Sequence, residues 1–202
     1  MQKRAVLALG VLVLSVLLVC GCGASTYNEL VSLDQEVDAQ WAQVENVYQR
    51  RLDLVPNLVE TVKGAAAFEK DVFIQVAEAR SRAAKASTGG GEPPPDDPAK
   101  LREFDRAQSE LSTALSRLLV VVERYPELSA TQAFRDLQAQ LEGTENRIAV
   151  ERMRFNEAAL RFNTRRNRFP TTLFAGLFGD RFEQKEYFRA SPGAERPPPV
   201  RF

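Results

Sequence analysis

Six apolar residues, Phe134, Leu141, Ile148, Phe155, Phe162 and Phe169, recur every seven positions without a slip. Seven residues make about two turns of α-helix, so all six share one face. In a strand an odd spacing would throw them alternately to opposite faces. The repeat predicts one long helix over roughly 129–168, with Leu137, Thr144, Glu151, Ala158 and Arg165 at the other seam positions. A sevenfold seam favours shallow, coiled-coil-like packing against partner helices. Ser129-Ala130-Thr131-Gln132 reads as the capping box that opens this helix.

The rest of the chain supplies the partners. Leu30, Leu33, Val37, Trp41, Val44 and Tyr48 recur at three- and four-residue steps and predict a first helix over roughly 26–53. Thr26-Tyr27-Asn28-Glu29 reads as its capping box. Pro56 lacks an N–H and suits the first turn of a new helix, expected over roughly 56–86. Its inward positions are Leu58, Val62, Ala65, Val72, Val76, Ala79 and Ala83, and Gly64 is a weak point or a close contact. STGGGEPPPDD, from Ser87 to Asp97, reads as a loop. Asp97-Pro98 then looks like an N-cap followed by proline at the first helical position. The third helix, roughly 98–125, carries Leu101, Phe104, Leu111, Leu115, Leu118, Val122 and Tyr125, and Pro126 ends it.

Four long helices with short connections predict an all-α fold, an antiparallel up-down four-helix bundle over 26–169. Both ends of the chain then lie at one end of the rod. The turns at 53–56 and 126–129 lie at the far tip, and the last helix, as the longest, overhangs. Beyond Pro170 the segment 170–188 is apolar and rich in Phe, and 189–202 is Pro-rich with the composition of a disordered tail.

The start of the chain places this rod. Lys3 and Arg4 precede fifteen uncharged residues, Ala5 to Val19, and then Val19-Cys20-Gly21-Cys22. That is the plan of an export signal spanning 1–21. Cys22, after the small Gly21, fits a bacterial lipobox, where the thiol takes a diacylglyceryl group and holds the domain on a membrane. The alternative is an uncut anchor, because Ala5 to Ser25 is 21 residues without a charge, about the ~20 that span a bilayer. In either form the domain faces outside the cytoplasm. Gly23 rather than Asp after Cys22 favours the outer membrane in a host with two membranes.

Composition narrows the chemistry. Lys3 and Arg4 fall in the signal, which leaves 25 basic against 27 acidic residues and no basic excess for nucleic acid. The chain has no histidine, the commonest general base and metal ligand, and both cysteines sit at the signal junction. No Ser/His/Asp set, phosphate-binding loop or dinucleotide fingerprint is present. The sequence therefore reads as non-enzymatic, with no catalytic residue, metal or cofactor.

Several stretches in order resemble the LemA family. Tyr27-Asn28-Glu29-Leu30-Val31 and Val37-Asp38-Ala39-Gln40-Trp41 match its opening helix, and the run from Arg50 through Leu54-Val55-Pro56-Asn57-Leu58 to Gly64 is its most recognisable. Tyr125-Pro126-Glu127-Leu128, Glu145-Asn146-Arg147-Ile148, Phe155-Asn156-Glu157-Ala158, Phe162-Asn163, Phe169-Pro170, Ala175-Gly176-Leu177-Phe178-Gly179 and Tyr187-Phe188 follow. The resemblance covers about 27–188. It implies an antiparallel four-helix bundle on an N-terminal membrane anchor, with no established reaction and no catalytic residues. This chain departs from the pattern at its lipobox, at Phe68 where a His is usual, and in the GGGEPPP loop.

Two groups of residues are candidates for binding. Arg50, Arg51, Asp53, Pro56 and Asn57 would form a distal-tip motif; their dull reading is that they satisfy one another where two helices end. Arg161, Arg165, Arg166 and Arg168, with Phe174 and Phe178, would face lipid at the membrane end, guanidinium groups on headgroups and rings at the acyl boundary. The competing account has the C-terminal aromatics cap the open base of the bundle. Glu69 and Glu151 fall inward, but a bundle metal site built on Glu-x-x-His cannot form without His, and Glu151 is expected to pair with Arg80, Arg82 or Arg102. The expected role is a scaffold or adaptor for other envelope proteins. The alternative is a membrane-surface module that binds or remodels lipid through its Phe-rich segment.

Overall fold

The computed structural model describes residues 2–63, 70–87 and 98–189. The features expected at Gly64, Ala65, Phe68, Glu69, the 88–97 loop and the 190–202 tail lie outside the described residues. Among those described there is no strand. Six α-helices occur, α1 Gln2–Lys63, α2 Lys70–Ser87, α3 Pro98–Glu123, α4 Pro126–Ser129, α5 Gln132–Asn167 and α6 Thr171–Leu177, followed by a 3-10 turn at Gly179–Phe182.

Three expected boundaries are wrong: the start and the stop of the first helix, and the start of the seam helix. The first helix does not begin at Thr26 or stop near Asp53: α1 runs without a break through Thr26 and Pro56 for 62 residues. A proline inside a helix deprives the carbonyl four residues back of its donor. Here that carbonyl belongs to Leu52, and Arg80 of α2 donates its Nε–H to it at 2.9 Å. A neighbouring helix thus supplies the bond that Pro56 removes, and the expected 53–56 turn does not exist. The longest helix is α1, at ~93 Å, rather than the seam helix α5, at ~54 Å. The third correction is the start of α5. Thr131, not Ser129, is the N-cap: its backbone is extended and its hydroxyl accepts the Phe134 N–H at 3.3 Å.

Cross-helix pairs give the direction of each neighbour. On α1 and α5, Glu29 meets Arg165, Glu36 meets Arg161 and Arg51 meets Glu145, so the two helices run antiparallel. On α2 and α3, Gln75 meets Arg117 and Arg82 meets Glu110, again antiparallel. The seam of α5 packs as its period requires, with Phe134, Leu141, Ile148, Phe155 and Phe162 all buried. Phe169 is not part of it. The helix ends at Asn167, two residues short, and Phe169 is 79 % exposed.

The buried residues form two apolar clusters. One joins Leu52–Val62 of α1 to Val72, Val76, Leu111, Leu118, Phe134 and Leu141. The other joins Leu30, Val37, Trp41 and Tyr48 to Phe104, Phe155 and Phe162, and takes in Phe182 and Phe188 from beyond α5.

Candidate functional site

A polar group lies inside the rod. Arg51 is 1 % exposed, among the largest fully buried side chains. One of its terminal nitrogens donates to Ser112 Oγ at 2.8 Å and Glu145 Oε1 at 2.9 Å. The other donates to the Gln108 carbonyl at 3.2 Å and to Gln108 Oε1. Tyr48 lies under the guanidinium, 5.0 Å from ring centroid to Cζ. Gln108 in turn donates to Ser87 Oγ at 3.0 Å, so the network ties α1, α2, α3 and α5 together. This placement corrects the expected tip motif. Arg51 faces inward in mid-helix, Arg50, Asp53, Pro56 and Asn57 are exposed on the same unbroken helix, and none of the five sits at a turn. The α1 stripe leads to this position: Leu30, Val37, Val44, Arg51 and Leu58 stand seven apart and are all buried, so the spacing marks Arg51 rather than Arg50 as inward, and the partners across the core show how its charge is met there.

Glu151 is not held by Arg80, Arg82 or Arg102. It pairs with Arg154 one turn on, at 2.8 Å, while Arg80 serves Leu52 and Arg82 pairs with Glu110. Among the described residues no cluster of metal-ligating side chains occurs.

The other candidate region is the end where α1 enters and α5 finishes. Arg165 approaches both carboxylate oxygens of Glu29, at 2.6 and 2.7 Å, and also donates to Thr171 Oγ1. The hydrogen bond from Arg165 holds the Glu29 carboxyl below its ordinary range, against the opposing effect of burial. Arg161 pairs with Glu36 at 2.5 Å, and Arg166 donates to the Phe182 carbonyl. Arg168 is exposed at the α5 C-cap. Three of the four expected lipid-facing arginines therefore bind the rod itself.

Beyond α5 the chain divides in two. In α6, Thr171 and Ala175 are buried and Phe174 lies over Gly23 of α1, where an added Cβ would stand 3.3 Å from its ring. Phe178 packs edge-on against Tyr27, 4.9 Å between centroids. After the 3-10 turn, residues 183–189 form an extended strap along α5. Two asparagines seven apart clamp it by its backbone. Asn163 accepts the Lys185 N–H and donates to the Lys185 carbonyl, both at 2.8 Å. Asn156 does the same for Phe188, at 2.9 Å each way. At the second clamp Phe188 enters the core, stacked on Trp41 at 6.0 Å and edge-on to Phe155 at 5.4 Å. Lys185, only 5 % exposed at its side chain, pairs with Asp34 at 2.8 Å.

Sequence reasoning missed the strap and its clamps. The available signal was Phe155-Asn156 and Phe162-Asn163, a core residue followed each time by an amide one step round the helix.

At the N-terminal end Cys22 is exposed and bonded to no other cysteine. Among the described residues no helix is long and apolar enough to cross a membrane; the side chains at 5, 6, 8, 15, 16 and 18–20 are outside that description.

The chain is similar to magnetosome proteins MamQ 1 and MamQ 2 of Paramagnetospirillum magneticum, each 27 % identical over 189 residues, covering 85 % of this chain and 67 % of the relative. It is equally similar to magnetosome protein MamQ of Magnetospirillum gryphiswaldense, 27 % identical over 186 residues with the same coverage. The family model for LemA matches residues 40–202, which takes in the Arg51 network, the Pro56 passage and both asparagine clamps; the chain belongs to the LemA family.

Proposed function

We propose that this protein is a non-enzymatic rod, an antiparallel four-helix bundle anchored by its N-terminal segment to a bacterial membrane, outside the cytoplasm. Its sides are then free to hold other envelope proteins. One observation carries the anchor. Val11, Leu12, Val13 and Leu14 are consecutive in α1 and each is 50–60 % exposed. Four consecutive residues at 3.6 per turn point nearly all the way round a helix. At these four positions α1 is exposed on nearly every side, and a helix apolar all round belongs in lipid. Similarity to bacterial proteins named for the magnetosome supports the bacterial setting. A second reading, a membrane-surface module acting on lipid through its Phe-rich segment, draws on the exposed face of α6.

Attachment and its chemistry are tested by membrane fractionation with mass spectrometry of the purified N-terminus. A diacylglyceryl group on Cys22 establishes lipidation. An intact Met1 or a free Cys22 thiol establishes the uncut helix. Recovery of the full chain in the soluble fraction would refute the anchor.

A further inference from the structure

We propose that the outer face of α6 is a lipid-contact surface, seated in the headgroup and upper acyl region of the same bilayer that holds α1. The proposal rests on the anchor reading above and adds which residues meet lipid and how deeply. Residues 169–179, Phe-Pro-Thr-Thr-Leu-Phe-Ala-Gly-Leu-Phe-Gly, contain no charge. Within them Phe169, Leu173 and Leu177 recur at four-residue steps and are 79, 61 and 78 % exposed. The other face of α6 is committed to protein, through Thr171, Ala175 and Phe174. The segment therefore neither caps the bundle with all its apolar residues nor offers them all to lipid. Phe182 and Phe188 go into the core, and the row 169/173/177 is left outside.

Position identifies what covers that row. The apolar segment of the sequence ends at Ser25, three uncharged residues before the next charge, Glu29. Glu29, four residues on and so ~6 Å along α1, is held by Arg165 near the end of α5. Phe174 lies on Gly23, inside the charge-free stretch. α6 is thus fixed at the level where α1 changes from apolar to charged, which is the level of the membrane surface for an anchored chain. Arg168 directly precedes the uncharged segment and is exposed, as basic residues are at anionic headgroups; Asp180 and then Arg181, which lies over the Tyr27 and Phe182 rings, follow it. An uncharged apolar row that follows an exposed arginine, level with the end of an apolar helix, matches the interface of a bilayer.

The test uses the full-length chain in vesicles of phosphatidylethanolamine and phosphatidylglycerol, with part of the lipid brominated on its acyl chains. Trp41 is the single tryptophan of the chain and is buried in the rod, ~24 Å along α1 from Ser25, so the unaltered protein should show no quenching. L177W and L173W place an indole on the exposed row, and M153W places one on the exposed side of α5 farther from the bilayer. All three positions are exposed, so the substitutions leave the core intact. We expect L177W and L173W to lose most of their added emission and M153W to lose none. Vesicle flotation with no quenching of L177W overturns the interface while leaving the anchor standing. Equal quenching of all three variants overturns it too, since lipid would then not select α6. Failure of the full chain to float with vesicles overturns the anchor and the interface together.

Discussion

Pro56 and Arg80 should be energetically coupled although they lie on different helices. Leu52, whose carbonyl Pro56 deprives of a donor, is 2 % exposed. In the native chain Arg80 Nε satisfies that carbonyl at 2.9 Å. Arg80→Ala would leave a buried acceptor unpaired, at about 1–3 kcal/mol, and lose some stem packing. Pro56→Ala restores a backbone N–H in position to bond Leu52 and removes the ring's conflict with the helix, worth up to ~3 kcal/mol, less ~0.4–1 kcal/mol because the unfolded chain loses its proline constraint. In the Pro56→Ala background Arg80→Ala should cost under ~1 kcal/mol, since only packing is lost. The expected coupling is therefore ~1–2 kcal/mol. The assay is urea denaturation of the four proteins of the cycle in mild detergent, followed by far-UV circular dichroism. Thermal melts should show the same order, at ~2–4 °C per kcal/mol for a chain of this size. A coupling within the ~0.3–0.5 kcal/mol of simple additivity would refute the reasoning. Arg80 would then be a packing residue and the helix would tolerate its proline for another reason.

Arg51→Ala should cost ~2–4 kcal/mol, because it strands the buried Gln108 side chain and empties the space of a large buried side chain, whereas Arg51→Met strands the same acceptor but fills much of that space and should cost ~1–2 kcal/mol less; equal losses for the two in urea melts would contradict this. Phe155→Ala should cost roughly 3–5 kcal/mol in the same assay, since the ring is 2 % exposed and packs on Trp41 and Phe188; a loss under ~1 kcal/mol would mean that the seam does not close. Asn163→Ala removes both backbone bonds to Lys185 and should speed amide exchange over the strap while leaving α2 and α3 protected; unchanged exchange at Lys185 would show that the clamp does not hold it. Burial pushes the Glu45 carboxyl above its ordinary range, against a bond from Trp41, so its folded form holds a proton more tightly than its unfolded form. Its contribution to stability is full below the unfolded value and is lost as pH rises through the folded one. Glu45→Gln should therefore stabilise the protein at neutral pH and give no gain at pH ~3; a gain independent of pH would point to packing instead.

The sequence by itself determined the helical periods, because side-chain spacing along a helix is a local property. Phe134 to Phe162 pack as a seam, the third long helix opens at Pro98, and the inward residues of all four long helices are largely those its stripes mark. Where a helix stops is less local. Thr131 and Ser129 look equally able to cap, and geometry selects Thr131. Pro56 reads as a break until a donor arrives from 24 residues away, a partner that no window around Pro56 contains. Arg50 and Arg51 are chemically identical neighbours. The α1 stripe puts Arg51 inward and leaves Arg50 exposed, but that a cation can be the polar centre of the rod is decided by acceptors that converge there from α3 and α5. The C-terminal aromatics Phe174, Phe178 and Phe182 recur at four-residue steps, yet only Phe182 is fully buried, so their spacing does not say which enter the core. The two asparagine clamps decide it by fixing the strap's register on α5: Phe188 is drawn in, and Phe169, past the end of the helix that set its rhythm, stays out.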